Sequence, residues 1–349
     1  MAIPVVEVDF TEFFPGEDKK ESLRLLEPVG KVTSLQAPHR IVDAILRDSV
    51  VPDEGGKPFR ARNERQESAY GRRLRQANAQ NATALFELCP TALLFGMWDS
   101  TGPKGGLGAK FERAMVSEIV GINAVRGVKT SSRIDPLGIQ LNAGPLYATE
   151  NGGWTLSEDE ARTVKGQPQK LGQDGRPSEA NHGNVTPSLS AKGNDGEYLA
   201  GGVTIDRAEQ TIVLSFPALR RLRFPINGQT DPRRQKEVDE AARTVLAALG
   251  LCAATLMAEA GLDLRSRCLL WPTEPLKWDL LAGPGQIERD ITLSADGAIK
   301  LLKDAVDAAK KIGLPWREEP LRLRPSDDLV KLVVRSQQLA IAQGGEGGE

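Results

Sequence analysis

"FGMWDSTGPKGGLGAKFERAMVSEIVG", residues 95–121, places two apolar runs on either side of a glycine-rich centre. The centre holds Ser100, Thr101, Lys104 and Lys110 among glycines that leave the backbone N–H groups accessible. Accessible N–H groups, hydroxyls and ammonium groups favour a phosphate ligand. The stretch therefore predicts a phosphate-binding loop, for either a small nucleotide or a polynucleotide backbone.

The loop departs from both common small-nucleotide motifs. A P-loop requires G-x-x-x-x-G-K-[ST]. Here Ala109 separates Gly108 from Lys110, and Phe111 stands where the magnesium-binding hydroxyl belongs. The dinucleotide pattern G-x-G-x-x-G finds Gly106 and Gly108 but again meets Phe111 at its third glycine. A polynucleotide is therefore the favoured ligand.

Composition indicates a soluble globular protein without a metal or cofactor. Hydrophobic residues make up 40% and charged residues 26% of the 349 positions. We see no apolar run of the roughly 18 to 20 residues that a membrane helix needs, and the first ten residues do not resemble a signal peptide. Three separated cysteines and two histidines argue against zinc or disulfides and for the reducing cytoplasm.

Positive charge is concentrated in zones although the net charge is −2. Residues 59–75 hold six arginines and two glutamates, residues 101–133 six bases and two acids, and "FPALRRLRF" three arginines and no acid. Such zones are either solvated helix faces or, acting together, a polyanion-binding surface. The candidate contacts are Arg40, Arg60, Arg62, Arg65, Arg72, Arg73, Ser100, Thr101, Lys104, Gly105, Gly106, Gly108, Lys110, Arg113, Arg220, Arg221 and Arg223.

Candidate catalytic groups are few. The chain lacks the G-x-S-x-G motif, and neither His39 nor His182 lies in a recognisable catalytic pattern. Asp99 is either an acid for metal-assisted strand cleavage or a cap for the turn that contains Ser100 and Thr101. The sequence favours a protein that is not an enzyme.

The order of elements predicts an α+β fold, with helices on one face of an antiparallel sheet. Alternation predicts a strand in "PVVEVDFTEFF", and "TALLFGMW" and "SRCLLWP" are typical of buried strands. "FERAMVSEIVGINAV" fits a strand or a helix, and its β-branched residues favour a strand. "GGVTIDRAEQTIVLSF" predicts a hairpin that turns at residues 206–210.

Capping signals mark the helices. Asp231 and Pro232 begin a helix that Gly261 ends, and Ser294 begins another that ends near Gly313. Helical spacing also predicts shorter helices in "SLQAPHRIVDAILRDSVV" and "YGRRLRQANAQNATALFEL", and a C-terminal helix in "SDDLVKLVVRSQQLAIAQ".

We interpret residues 1–349 as one elaborated domain with three less regular parts. Residues 50–80 form a basic, finger-like excursion, and residues 343–349 a disordered tail. Residues 142–200 are rich in Gly, Pro, Asn and Asp, which predicts a flexible, thumb-like insertion with little regular structure.

The opening stretch resembles the signature block of the backbone subunit of CRISPR Cascade complexes of type I, subtype G (formerly U), in the RAMP superfamily. The shared pattern is F-G-x-W-x-S-T-G, then G-G-x-G-x-K, then R-A-x-V-S-E-I, here residues 95–119. The resemblance implies a modified RRM-like (ferredoxin-like) palm with finger and thumb insertions. It also implies a non-catalytic subunit that polymerises along CRISPR RNA as a helical filament and presents the guide to target DNA.

The partners implied are CRISPR RNA, target DNA through the guide, further copies of the chain, and other Cascade subunits. Those subunits are the one that processes and caps the RNA, the large subunit and the effector helicase-nuclease; no membrane is implied. A guide-holding subunit must grip sugar and phosphate rather than base edges, and Trp154 or Leu156 of the insertion could wedge between bases. Two alternatives remain: an RNA-cleaving RAMP subunit that uses Asp99, and a general single-stranded RNA-binding protein.

Overall fold

A computed structural model describes residues 2–11, 24–27, 29–36, 46–61, 65–98, 110–133, 135–140, 142–182, 185–189, 200–226, 228–265 and 268–343. The chain divides into two compact units, and the interpretation of residues 1–349 as one elaborated domain stays a prediction. The core unit comprises residues 1–118 and 211–349, and the inserted unit comprises residues 119–210.

The described helices all belong to the core unit. They are α1 (Ala69–Arg75), α2 (Thr83–Leu88), α3 (Pro90–Phe95), α4 (Phe216–Arg220), α5 (Pro232–Ala260), α6 (Ala295–Lys311) and α7 (Asp327–Gln343). Short 3-10 turns form at Pro52–Glu54 and Pro177–Ala180.

The strands are numbered along the chain. They are β1 (Val6–Asp9), β2 (Lys31–Thr33), β3 (Ser49–Val51), β4 (Lys57–Pro58), β5 (Met97–Trp98), β6 (Lys110–Phe111), β7 (Met115–Ile122), β8 (Val125–Val128), β9 (Thr130–Arg133), β10 (Tyr147–Ala148), β11 (Trp154–Thr155), β12 (Thr163–Val164), β13 (Gln167–Pro168), β14 (Val185–Leu189), β15 (Ala200–Thr204), β16 (Arg207–Leu214), β17 (Leu262–Arg265), β18 (Cys268–Leu270), β19 (Lys277–Gly283), β20 (Gln286–Thr292) and β21 (Leu321–Pro325).

The largest sheet has five strands in the order β2-β1-β21-β3-β4. Its central pair, β1 and β21, is parallel, whereas the other neighbours are antiparallel. The α+β class is confirmed. The prediction of a purely antiparallel sheet is wrong, because β1 near the start of the chain and β21 near its end lie side by side and run in the same direction. The RRM-like palm with helices on one face stays a prediction.

The capping signals located the long helices correctly. The Asp231 side chain accepts a hydrogen bond from the Arg233 N–H at 2.9 Å, Pro232 opens α5, and Gly261 follows its last turn with φ +71°. Ser294 caps α6 in the same way through the N–H of Gly297 at 3.2 Å. Local side-chain chemistry therefore suffices to define both N-termini.

Helix α5 corrects the expectation about membrane-length segments. By length and composition it could cross a membrane. Half of its most apolar window is nevertheless buried inside the fold, and its buried face joins the central hydrophobic core. The core helix of a globular unit passes the same test, so the apolar run is explained by packing.

The apolar run "TALLFGMW" is helix α3 followed by the two-residue strand β5, so the predicted buried strand is wrong. Pro90 opens the helix, residues Pro90 to Leu94 are all buried, and Gly96 ends it with φ +85°. A short helix that is buried on every side lacks the 3.6-residue alternation that would distinguish it from a strand.

The inserted unit is built on paired antiparallel strands. β8 pairs with β15 and β9 with β14, while the pair of β7 and β16 carries the chain between the two units. The strand predicted in "FERAMVSEIVGINAV" is confirmed. The predicted hairpin of β15 and β16 is wrong: both strands exist, but Asp206 between them donates its N–H to Ile122 O at 3.0 Å and continues the ladder.

The described part of the thumb-like insertion, residues 142–182 and 185–189, is organised by short ladders. β10 pairs with β11 and β12 with β13, each strand being two residues long. Its buried hydrophobic side chains are Leu146 and Tyr147. The flexibility proposed for residues 142–200 stays a prediction.

Candidate nucleic-acid interface

The two ends of the glycine-rich loop are held together by the short antiparallel pair β5 and β6. Met97 lies opposite Phe111, and Trp98 lies opposite Lys110. Met97 and Phe111 are buried, whereas Trp98 is 60% exposed and Lys110 is exposed. Because successive side chains of a strand alternate between its faces, the stem buries one pair and presents an indole beside an ammonium group on the other face.

A cleft of about 540 Å³ opens beside this stem, entirely within the core unit. Its lining includes Trp98, Lys110, Arg113 and Phe95, the last of which is 37% exposed at the end of α3. Gly96 is required for this arrangement, because a Cβ there would lie 2.9 Å from the Arg113 Cγ. Two exposed aromatic rings and two cations therefore share one concave surface.

The arginines after α4 lie next to the same cleft. The Ser215 N–H donates to Ala114 O at 2.7 Å, which fixes the start of α4 beside the strand that follows the cleft. Arg221 then donates to the Glu112 carboxylate at 2.5 Å. Glu112 lines the cleft, so this ion pair offsets the negative charge there. Two of the three basic zones predicted from the sequence thus converge.

Arg223 has a structural partner that the sequence did not indicate. Its guanidinium donates to Asp239 Oδ2 at 3.0 Å, and Asp239 also accepts the Phe224 N–H at 2.8 Å and the Gln235 amide at 3.0 Å. Asp239 is 2% exposed. This buried carboxylate fastens the segment after α4 to α5, although Arg223 keeps about half of its side chain exposed.

The zone at residues 59–75 has contacts of its own. Arg60 is 4% exposed, so in this conformation its side chain lies away from solvent. Arg72 donates to the Glu67 backbone carbonyl, and Arg73 pairs with Glu87 on α2. Arg65 is exposed. Arg65, Arg72 and Arg73 therefore keep side-chain surface that is accessible to solvent, whereas Arg60 does not.

Several predicted contacts lie outside the described residues. They are Arg40, Arg62, Ser100, Thr101, Lys104, Gly105, Gly106 and Gly108, and with them His39 and Asp99. Arg220 is exposed at the end of α4. Trp154 and Leu156 are exposed in the inserted unit, with the Trp154 ring 6.0 Å from the His182 ring.

Within the described part of the chain, no three or more His, Cys, Asp or Glu side chains are placed to hold a metal ion. The groups that line the cleft can contribute charge, hydrogen bonds and aromatic surface. The sequence analysis did not identify Trp98 and Phe95 as candidate site residues, because both lie in the apolar run that precedes the glycine-rich centre. The available signal was strand alternation, which turns Trp98 away from its buried neighbour Met97.

Residues 1–126 match the family model described as CRISPR-associated protein GSU0053. This N-terminal part of the chain is therefore similar to a CRISPR-associated family. The matched region contains the glycine-loop stem, the cleft and the block that suggested a Cascade subunit, and it agrees with that resemblance. No curated protein and no solved structure matches the chain.

Proposed function

We propose that this protein is a non-catalytic, guide-RNA-binding backbone subunit of a Cascade complex of type I, subtype G, that acts in antiviral defence in the cytoplasm. In this proposal several copies polymerise along CRISPR RNA as a helical filament and present the guide for pairing with target DNA. The filament adjoins the RNA-processing and capping subunit and the large subunit, and recruits the effector helicase-nuclease.

The observation that carries the proposal is the cleft at the stem of the glycine-rich loop. Lys110 and Arg113 line it, and Arg221 offsets the Glu112 carboxylate beside it. Cations grouped along and just after one strand of this pair suit the phosphates of a single nucleic-acid strand, which are contacted without regard to base sequence. The match of residues 1–126 to a CRISPR-associated family favours a guide RNA as that strand.

The first test is purification with a coexpressed guide at low salt. We expect the protein to copurify with RNA, and sequencing of that RNA should return CRISPR guides with varied spacers. A mixture of unrelated cellular RNA would instead favour the general single-stranded RNA-binding protein, and RNA-free protein would overturn the proposal.

The second test concerns the cation at the stem. Lys110→Ala should weaken binding about equally for all spacers and reduce the magnitude of the log–log salt slope by roughly 0.7, the change expected when one phosphate of a single strand is no longer neutralised. Lys277→Ala removes an exposed lysine that pairs with Asp290 on the β19–β20 hairpin and serves as the control. If the salt slope of Lys110→Ala equals that of the wild type, Lys110 does not contact an RNA phosphate.

The competing RNA-cleaving subunit makes a separate prediction. It requires divalent-metal-dependent cutting of RNA complementary to the guide, and that activity must be abolished in Asp99→Ala. Such cleavage, if observed with the purified filament, would replace the non-catalytic proposal.

A further inference from the structure

The exposure of Trp98 stands out in a stem whose other apolar side chains are buried. Across the described residues, Trp98 makes no aromatic or cation–π contact, and its indole N–H has no hydrogen-bond acceptor. The exposed Trp271, by contrast, covers Gly261, where a Cβ would meet its ring at 2.7 Å. Trp271 therefore contacts the chain at Gly261 although it is 67% exposed, whereas the described residues provide Trp98 with no ring partner and no hydrogen-bond acceptor.

The surroundings of Trp98 indicate what chemistry that face would accept. Phe95 provides a second exposed ring on the cleft, and Lys110 lies directly across the strand pair. A volume of about 540 Å³ is within the usual range of roughly 300 to 1,000 Å³ for ligand clefts. An aromatic platform flanked by cations is the combination that binds a single nucleic-acid strand, because bases stack on the ring while phosphates meet the cations.

We propose that Trp98 stacks on one base of the bound single-stranded RNA, with Phe95 bordering the same base site and Lys110 and Arg113 on the adjoining phosphates. This inference rests on the proposed RNA-binding function and adds a base-holding site to it. Every base presents a π-face, so stacking is compatible with any spacer sequence. The site would hold one nucleotide of each bound segment in a defined position.

The test is equilibrium binding of fluorescently labelled oligo-uridine and oligo-adenosine RNA to the full chain over a range of salt concentrations. Trp98→Ala should weaken binding roughly 5- to 150-fold, the measured range for removing the platform of one stacked base. Its salt slope should equal that of the wild type, because every phosphate keeps its cation. Trp98→Phe should restore most of the affinity, since a smaller ring still stacks.

Trp271→Ala is the matched control, because it removes another exposed indole from the core unit. Its RNA affinity should equal that of the wild type. As a direct readout, RNA that contains 5-iodouridine should photocrosslink to Trp98, and peptide mapping should identify the site.

Four outcomes separate the inference from the proposed function. RNA binding by the wild type with unchanged affinity in Trp98→Ala overturns the inference alone. Weak binding by both Trp98→Ala and Trp98→Phe, with a reduced salt slope, overturns it in favour of a positioning role for the ring. Crosslinks mapped to residues away from the cleft also overturn it. Failure of the wild type to bind either RNA overturns the inference together with the proposed function.

Discussion

Individual arginines of this protein have different environments even where they are neighbours in sequence. Arg221 pairs with Glu112 at the cleft, whereas Arg223, two positions later, pairs with the buried Asp239. Arg113 lines the cleft, and Arg60 is buried. A count of basic residues therefore overstates the number of accessible cations, and each side chain has to be assessed from its contacts.

The contacts of Asp239 lead to a prediction about stability. Asp239→Ala should lower the free energy of unfolding by about 3 kcal/mol, because it leaves the buried Phe224 N–H without its acceptor and removes the partner of Arg223. Chemical denaturation followed by circular dichroism measures the change.

The control for Asp239→Ala is Glu240→Ala, which changes the next residue of α5 where the side chain is exposed. Its effect should stay within about 0.5 kcal/mol. Equal destabilisation of the two variants would show that Asp239 does not fasten the α4 segment.

At the scale of elements, two helices begin in the same way but in different surroundings. Gly71 is the third residue of α1 and donates to the N-cap Ser68, just as Gly297 is the third residue of α6 and donates to Ser294. A Cβ at position 71 would lie 1.7 Å from the Phe59 backbone oxygen, whereas a Cβ at position 297 would meet only side-chain atoms, at 3.2 and 3.4 Å.

Gly71→Ala should therefore destabilise the protein by about 3 kcal/mol, because backbone must move to relieve the overlap. Gly297→Ala should be neutral or stabilise by up to about 1 kcal/mol, since alanine favours a helix over glycine. Thermal and urea denaturation compare the two. A small effect at position 71 would mean that α1 does not pack against the chain at Phe59.

In the inserted unit, one carboxylate organises a turn. Glu179 accepts the backbone N–H groups of Gln173 at 2.8 Å, Asp174 at 3.1 Å and Arg176 at 3.0 Å. The hydrogen bonds from Asp174 and Gln173, more than the others, hold the pKa of Glu179 below its ordinary value. The ionised form is therefore the one that the folded turn favours.

Because the pKa of Glu179 is lowered on folding, its stabilising contribution is complete above the ordinary value of 4.5 and is lost as pH falls through the lowered pKa. Amide hydrogen exchange at Gln173 and Asp174, corrected for the intrinsic rate, should accelerate over that acidic range. Glu179→Gln should show fast exchange already at neutral pH, and the exposed Glu150→Gln should behave like the wild type. A pH-independent exchange rate in the wild type would contradict this role.

The described residues of the chain form one large hydrophobic core. Every residue of that core, and every described helix, belongs to residues 1–118 and 211–349. Ile122 and Asp206 meet through a backbone hydrogen bond at the end of the β7–β16 pair, with Asn123 bonded to the Asp206 carboxylate at 2.8 Å. The chain can therefore be shortened at this point without removing core side chains.

Replacing residues 123–206 by Asn-Gly, a dipeptide that favours a two-residue hairpin turn, should leave the core unit folded. The helical ellipticity at 222 nm per molecule should match that of the full chain, and unfolding should stay cooperative, because the core is intact. Loss of the helical signal would show that the inserted unit is needed for the core to fold.

The sequence alone determined the features that depend on neighbouring residues. Asp231, Pro232 and Gly261 specify the ends of α5, and Ser294 specifies the start of α6, because a cap satisfies backbone groups within a few positions of itself. The glycine-rich block also sufficed to indicate the CRISPR-associated family that the match over residues 1–126 supports.

Only the tertiary structure decided which distant segments meet. The pairing of Val6 with Leu321, the pairing of β7 with β16, and the contact of Arg221 with Glu112 join residues that the local pattern treats as unrelated. Strand pairing between distant segments depends on the packing of the whole core, and an exposed ion pair such as Arg221–Glu112 depends on where the fold brings its two segments. A short apolar run such as α3 is compatible with either regular structure until its neighbours surround it. The cleft beside Trp98 likewise depends on tertiary structure, because the pairing of β5 with β6 brings its lining residues together.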